Sequence, residues 1–192
     1  MDNIRLARLD DINKIKNIID EGISENYYSL DVIKSFIEDD NSYLLVAVSD
    51  EDIPLAAMFC EKGTLKDMSV LENIPYPNDA FNSYSDETLT VVYKTVATSK
   101  NARRKGYVHA LFNEYDKIFK NTEHDLRIGL ALILPDGSIP IKKHIDEVGF
   151  EYKKIIKHPW SKIRSYCSYC KNDFCMCDGM LILKENKIEK KV

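Results

Sequence analysis

No run of about 18 consecutive apolar residues occurs in this sequence, so nothing in it predicts a membrane-spanning helix. Its first residues mix polar and apolar side chains without a basic, then apolar, then small-residue order, and they predict no signal peptide. A basic surplus is also missing: 27 Lys and Arg stand against 31 Asp and Glu, for a net charge of −4 and a pI near 5.6. That balance argues against a broad electropositive face of the kind that gathers phosphate backbones, so nucleic acid and membrane are both poor expectations as partners. There is no internal repeat and no stretch that reads as a domain linker. Cysteine is nearly confined to one short segment, and Cys60, which stands apart in an apolar run, is expected in the core. These absences describe a soluble, cytoplasmic chain with its oligomeric state open.

What is present is enough for one core. A chain of 192 residues, 44% hydrophobic and 30% charged, fits a single domain over residues 1–192. Ile4 to Arg8 alternate as in a half-buried strand, and Asp10-Asp11 open a helix that carries Ile12, Ile15, Ile18 and Ile19 inward. A second short helix is expected from Asp31 as N-cap to Asp39-Asp40, with Ile33, Phe36 and Ile37 on its apolar side. Tyr43–Val48 and Leu55–Cys60 flank the turn Ser49–Asp52 and Pro54 as a hairpin. Residues 63–87 form a long excursion, functional or disordered.

Thr88–Thr98 is rich in Val, Thr and Tyr and reads as a strand. The basic stretch to Lys105 follows, and Gly106 introduces a helix whose stripe is Val108, Leu111, Phe112, Tyr115, Ile118 and Phe119. Arg127–Leu134 is a further strand, closed by the turn Pro135-Asp136-Gly137. Ser138 is expected to cap a short helix with Pro140 in its first turn and Ile141, Ile145 and Val148 on one face, ending at Gly149. Phe150–Ile156 and Gly179–Leu183 complete the strands, and the Lys/Glu-rich tail is expected to fray.

Two groups of residues carry chemistry. At the first, Arg103, Arg104 and Lys105 bring positive charge to a helix start where Gly106 lets a phosphate approach the free N–H groups, although a solvated helix entrance would look the same. The second is Cys167-x-x-Cys170 with Cys175-x-Cys177. Four thiolates so spaced suit a closed, structural tetrahedral Zn²⁺ site, with unligated or redox-active thiols and an iron–sulfur centre as alternatives. The cysteines with Lys157, His158, Lys162 and Arg164 also permit a small nucleic-acid ribbon, which the acidic whole disfavours.

The strand Val91–Thr98, then Arg103-x-x-Gly106-x-Val108, an amphipathic helix to about Phe119, a strand from Arg127 and the pair Gly149-Phe150 together resemble the central pattern of the GNAT acyltransferases. The order of elements is similar over roughly residues 1–160. The resemblance implies an α+β, three-layer fold: a central mixed, mostly antiparallel twisted sheet flanked by helices, here with a small four-cysteine insertion at 167–177. It also implies direct transfer of an acetyl or short acyl group from acetyl-CoA to a primary amine. The backbone of Val96, Ala97 and Thr98 would pair with the pantetheine arm, and the N–H groups of Arg104, Lys105, Gly106, Tyr107, Val108 and His109 would surround the pyrophosphate. Val108 stands where the family motif has a small residue, and Ile145 stands where many relatives carry a Tyr that protonates the departing thiolate. Candidates for the proton transfers are Asp86, Glu87, Tyr93 and Tyr166, with His144 expected as an exposed polar residue. Without that Tyr, a catalytically degenerate module that holds acyl-CoA and contacts a protein through the cysteine segment is the rival. Tyr27, Tyr28, Tyr76, Phe81 and Tyr84 are candidates to line an acceptor site, with ordinary packing as the alternative.

Overall fold

In the computed structural model of the chain, residues 4–67, 78–120, 122–162 and 164–186 are described. The main sheet runs β1 (Ile4–Leu6), β2 (Ser42–Val48), β3 (Pro54–Thr64), β4 (Leu89–Thr98), β5 (Leu126–Ile133), β9 (Asp178–Glu185) and β6 (Glu151–Ile156) in spatial order. β4 and β5 pair in parallel and the other neighbours antiparallel. The fold is therefore the mixed, mostly antiparallel α+β arrangement that the order of elements implies. β7 (Arg164–Cys167) and β8 (Asn172–Phe174) form a separate two-stranded hairpin inside the cysteine segment, which the sequence pattern does not announce.

Alternation along the strands divides the apolar side chains between the two faces. On one face lie α3 (Tyr107–Lys120) and α4 (Lys142–Val148), packed on Leu45, Ala47, Met58, Cys60, Val91, Tyr93 and Ile182 through Leu111, Phe112, Tyr115, Phe119, Ile145 and Val148. On the other, α1 (Ile12–Gly22) and α2 (Leu30–Glu38) cover Leu44, Val46, Ala57, Phe59 and Ala97. A third cluster, with Val92, Leu126, Ile128, Leu181 and Leu183, continues that face toward the far edge, where Leu65 and Phe81 close it. The helical stripe of α3 is the one its spacing predicts, since residues three and four apart share a face. Cys60 is fully buried, and burial pushes its thiol well above the ordinary range.

Two caps differ from expectation. Ser29, not Asp31, caps α2, its hydroxyl accepting the N–H of Val32. Ser138 caps no helix: the Asp136 carboxylate accepts both its N–H and its hydroxyl, holding it in the preceding turn, and α4 starts later, at Lys142. The end of α4 is as expected. Gly149 takes φ +82°, and the N–H groups of Phe150 and Gly149 return to the carbonyls of Ile145 and Asp146. Of the excursion 63–87, β3 extends to Thr64, while 68–77, including Tyr76, lie outside the described residues, as does the tail from 187. No helix among the described residues is long and apolar enough to cross a membrane.

A charged group sits deep under α3. Arg127 on β5 is 1% exposed and donates to Asp116 Oδ1 at 2.5 Å, an oxygen that also accepts from Lys184 at 2.7 Å. Its Nε donates to Nε2 of His124 at 3.1 Å, so Nε2 carries no proton and Nδ1 donates to Thr122 Oγ1 at 2.7 Å. Burial, and then the charge of Arg127, lower the His124 pKa from 6.5 to about 4. Between those values the unfolded chain binds a proton that the folded chain refuses, so stability is complete above pH 6.5 and falls as pH drops toward 4. A loss on the order of 2 to 3 kcal/mol is expected over that interval in urea unfolding, and His124→Gln should flatten the slope.

Candidate active site

β4 and β5 pair only from Thr90–Leu126 to Tyr93–Gly129, although both strands continue. The reason is visible on the other side of β4, where Phe59 faces Thr95 but Cys60 faces Tyr93, leaving Lys94 as an extra residue. Such a bulge bends its strand and frees backbone groups from the ladder. It also changes the alternation: Tyr93 and Val96, three apart, both pack on the α3 side. Beyond Tyr93 the two parallel strands part, and a cavity of about 240 Å³ opens between Lys94–Val96 and Leu130–Leu132.

The next segment turns the chain toward α3. Lys100–Ala102 make a 3₁₀ turn anchored by buried Ala102. The N–H of Lys100 donates to the Glu21 carboxylate and the Arg103 guanidinium to the Glu21 carbonyl, which ties this turn to the end of α1. α1 itself comes close because Gly22 faces Ala97: a Cβ there would meet the Ala97 Cβ at 2.9 Å. Arg104 and Gly106 then adopt φ +63° and +86°. The first of these is a left-handed non-glycine residue, costing about 1 kcal/mol. Gly106 O accepts the N–H of Ala110, the first helical bond, so the N–H groups of Tyr107, Val108 and His109 have no intrahelical acceptor. A Cβ at Gly106 would meet nothing within 4 Å. Arg103, Arg104 and Lys105 are exposed around this opening, whereas Val108 is half-buried and packs toward the core.

By shape, the chain is similar to Arabidopsis thaliana NAA60 solved with a bisubstrate analogue, at 13% identity and TM-score 0.68, over 96% of this chain and 98% of that one. It is similar to Chaetomium thermophilum Naa20 with a bisubstrate analogue, at 12% identity and TM-score 0.67, covering 98% and 90%. A GNAT superfamily phosphinothricin acetyltransferase from Sinorhizobium meliloti, solved with AcCoA, matches at 14% identity and TM-score 0.63, covering 96% and 88%. The fold is that of the GNAT N-acetyltransferases. No family profile and no curated protein matches the sequence.

Within this GNAT fold the cavity runs from the α3–α4 side, where Phe112, Pro140 and Ile141 line it, through the gap between β4 and β5. It reaches the α1–α2 connection and the cysteine segment, where Ser24, Tyr27, Trp160, Tyr169, Cys167 and Cys175 form the wall. Lys94 is the one charged side chain lining it among the described residues, and it is held by Glu61 at 2.9 Å under the Phe36 ring. Thr95 Oγ1 meets the Tyr28 hydroxyl at 2.9 Å.

The candidates for proton transfer are scattered. Glu87 is exposed, pairs with Lys66 and does not line the cavity. Asp86 is exposed, and Tyr166 is 53% exposed with its carbonyl accepting from Ser24. Tyr93 does line the cavity, packed against Phe112 and Phe150, but its hydroxyl is buried with no partner. Burial, and then neighbouring Cys60, push that phenol up, so it stays protonated, while the buried Arg127 guanidinium pulls the other way. His144 is not the exposed residue expected: it is half-buried and stacked on Phe112 at 6.0 Å, with its buried Nδ1 3.9 Å from the Glu147 carboxylate. Burial and nearby His109 lower its pKa. His109, at the start of α3, pairs with Glu147 of α4 at 2.9 Å. Ile145 is fully buried in the core.

Sequence reasoning missed Ser24, Trp160 and Tyr169, which reach the cavity only through folding; the signals were the place of Ser24 beside the helix-end glycine Gly22 and of Tyr169 between two cysteines, with none for Trp160. Tyr27 both lines the cavity and packs on the α1–α2 cluster, while Tyr28 and Phe81 pack in the core and Tyr84 bonds Glu185. The four cysteines come together, with their sulfurs within 4.8 Å of one another. Tyr93→Phe removes a buried hydroxyl neighboured by the Arg127 guanidinium, and it should change stability by no more than about 1 kcal/mol in urea unfolding.

Proposed function

We propose that the chain transfers an acetyl or similar short acyl group from acyl-CoA directly to a primary amine. The single observation that carries this reading is the parting of β4 and β5 at the Lys94 bulge, beside a helix start whose N–H groups have no helical acceptor. An extended pantetheine arm can add to the strand edge exposed at Val96–Thr98, in the manner of an added β-strand. The pyrophosphate belongs at the start of α3. There the N–H groups from Arg104 to His109 and the helix dipole favour an anion, with Arg103, Arg104 and Lys105 adding charge.

With the arm so placed, the thioester lies in the gap and the amine enters from the Tyr27, Trp160 and Tyr169 side. A backbone N–H freed by the bulge is the donor we assign to the thioester oxygen, where negative charge develops during attack. The apolar wall keeps water from competing and favours an amine in its neutral form. Positioning carries much of the rate in such a site, because it converts an encounter of two molecules into a reaction within one complex. The cysteines Cys167, Cys170, Cys175 and Cys177 fit a structural Zn²⁺, whose part is to hold the fold of its segment.

A second reading, an acyl-CoA-binding module without turnover, draws on the burial of Ile145, which brings no hydroxyl to the gap. Release of free CoA thiol from acetyl-CoA in the presence of a panel of amines and peptides separates the two: transfer requires release with at least one acceptor. Substitution at Gly106 tests the anion site. Asn tolerates left-handed φ and has nearly the volume of Asp, so Gly106→Asn should weaken acetyl-CoA modestly. Gly106→Asp should weaken it by a further tenfold or more, roughly, from charge alone. Equal affinities of the two variants in calorimetry would remove the pyrophosphate from this loop.

A further inference from the structure

We infer that the four-cysteine turn is a metal-dependent wall of the acceptor compartment, so that metal occupancy governs the amine side of the cavity and leaves the CoA side intact. This rests on the acyl-transfer reading above for the meaning of the two sides, but the metal and the wall are argued from the hairpin itself.

The geometry suits one tetrahedral ion. Cys167 and Cys177 sulfurs stand 3.9 Å apart. A disulfide would bring them to about 2.05 Å, whereas Zn–S bonds of about 2.3 Å give a tetrahedral edge of about 3.8 Å. All four sulfurs lie within 4.8 Å of one another. The turn after the first pair is built for convergence: Lys171 takes φ +56°, and its N–H returns to the Cys167 carbonyl at 2.8 Å. The Cys170 sulfur accepts the N–H of Met176 at 3.3 Å, an outer contact that fixes a thiolate's direction.

Beyond these sulfurs, the segment is held to the rest of the chain by polar contacts, the His158 ring with the Met176 carbonyl at 2.7 Å and the Ser24 hydroxyl with the Tyr166 carbonyl, and by little apolar packing. β8 is exposed along its whole length, and Tyr166, Tyr169, Phe174 and Met176 are each 45% exposed or more. Among the described side chains, none of β7, β8 or the turn between them belongs to the three apolar clusters. An isolated two-stranded hairpin is marginal in water, and a metal supplies the folding energy that a core would otherwise provide. Yet this segment presents Cys167, Tyr169 and Cys175 to the cavity, and its Tyr166 carbonyl accepts from the Ser24 hydroxyl of the adjoining α1–α2 connection at 2.7 Å. The mouth of α3 is anchored elsewhere, on Glu21 and Gly22.

Trp160, the chain's single tryptophan, lies on the same wall and reports on it. Full-length protein stripped with a chelator and titrated with ZnCl₂ should shift Trp160 emission and saturate at one equivalent. The shift should vanish in Cys170→Ser/Cys175→Ser, with the acetyl-CoA dissociation constant within about twofold of the native value. Hydrogen exchange on the native chain is the second measurement should that variant fail to fold: Zn²⁺ should protect 164–177 and the region of Ser24 and leave α3 unchanged. Stoichiometry well below one, an iron–sulfur absorption band in the purified protein, or zinc binding without change in Trp160 emission and exchange would overturn the proposal. Failure of acetyl-CoA to bind the zinc-loaded chain would instead overturn the transfer reading, with the zinc response of Trp160 standing.

Discussion

The molecule turns on one extra residue in one strand. Lys94 breaks the register between β3 and β4, and from that point β4 can no longer follow β5. Were the two parallel strands paired to their ends, hydrogen bonds would close the space between Val96 and Leu132, and α3 would begin above a sealed sheet. The bulge is stabilised on both flanks. Lys94 is pinned to Glu61, and Thr95 meets Tyr28 on the α1–α2 side, so the bend is held by side chains from β3 and from the α1–α2 connection rather than by the strand alone.

Much of the fold was legible in the sequence because apolar spacing reports local geometry. α3 announced itself through Leu111, Phe112, Tyr115 and Phe119, and the hairpin of β2 and β3 through an acidic turn between two apolar runs. The helix mouth was legible too, since Gly106 after three basic residues is a local pattern. The bulge was not. Register depends on which residues of β3 face β4, and Val, Thr and Tyr read equally well as a straight strand. The Arg127, Asp116 and Lys184 contacts were likewise hidden, because charges 11 and 68 residues apart meet only after β5 and β9 pair under α3. His144 shows the same limit: helix geometry gives the direction of a side chain, but not that Phe112 will be there to cover it.

Shape is shared with N-acetyltransferases at identities of 12–14% among the three described. A likeness this distant in sequence is understandable when the retained feature is a backbone arrangement. Free amides and a parted strand pair need little side-chain identity beyond an apolar stripe and one glycine able to hold positive φ. The cavity wall has no such backbone basis, being built by side chains such as Tyr27, Trp160 and Tyr169.

The β7–β8 hairpin has a consequence for descent. Because none of its described side chains joins the three apolar clusters, its sequence can drift, lengthen or be exchanged without disturbing the sheet that folds the protein. Its walls, however, face the compartment next to Trp160. That wall can therefore be remodelled by loop turnover, while the start of α3, tied to Glu21 and Gly22, stays under separate constraint.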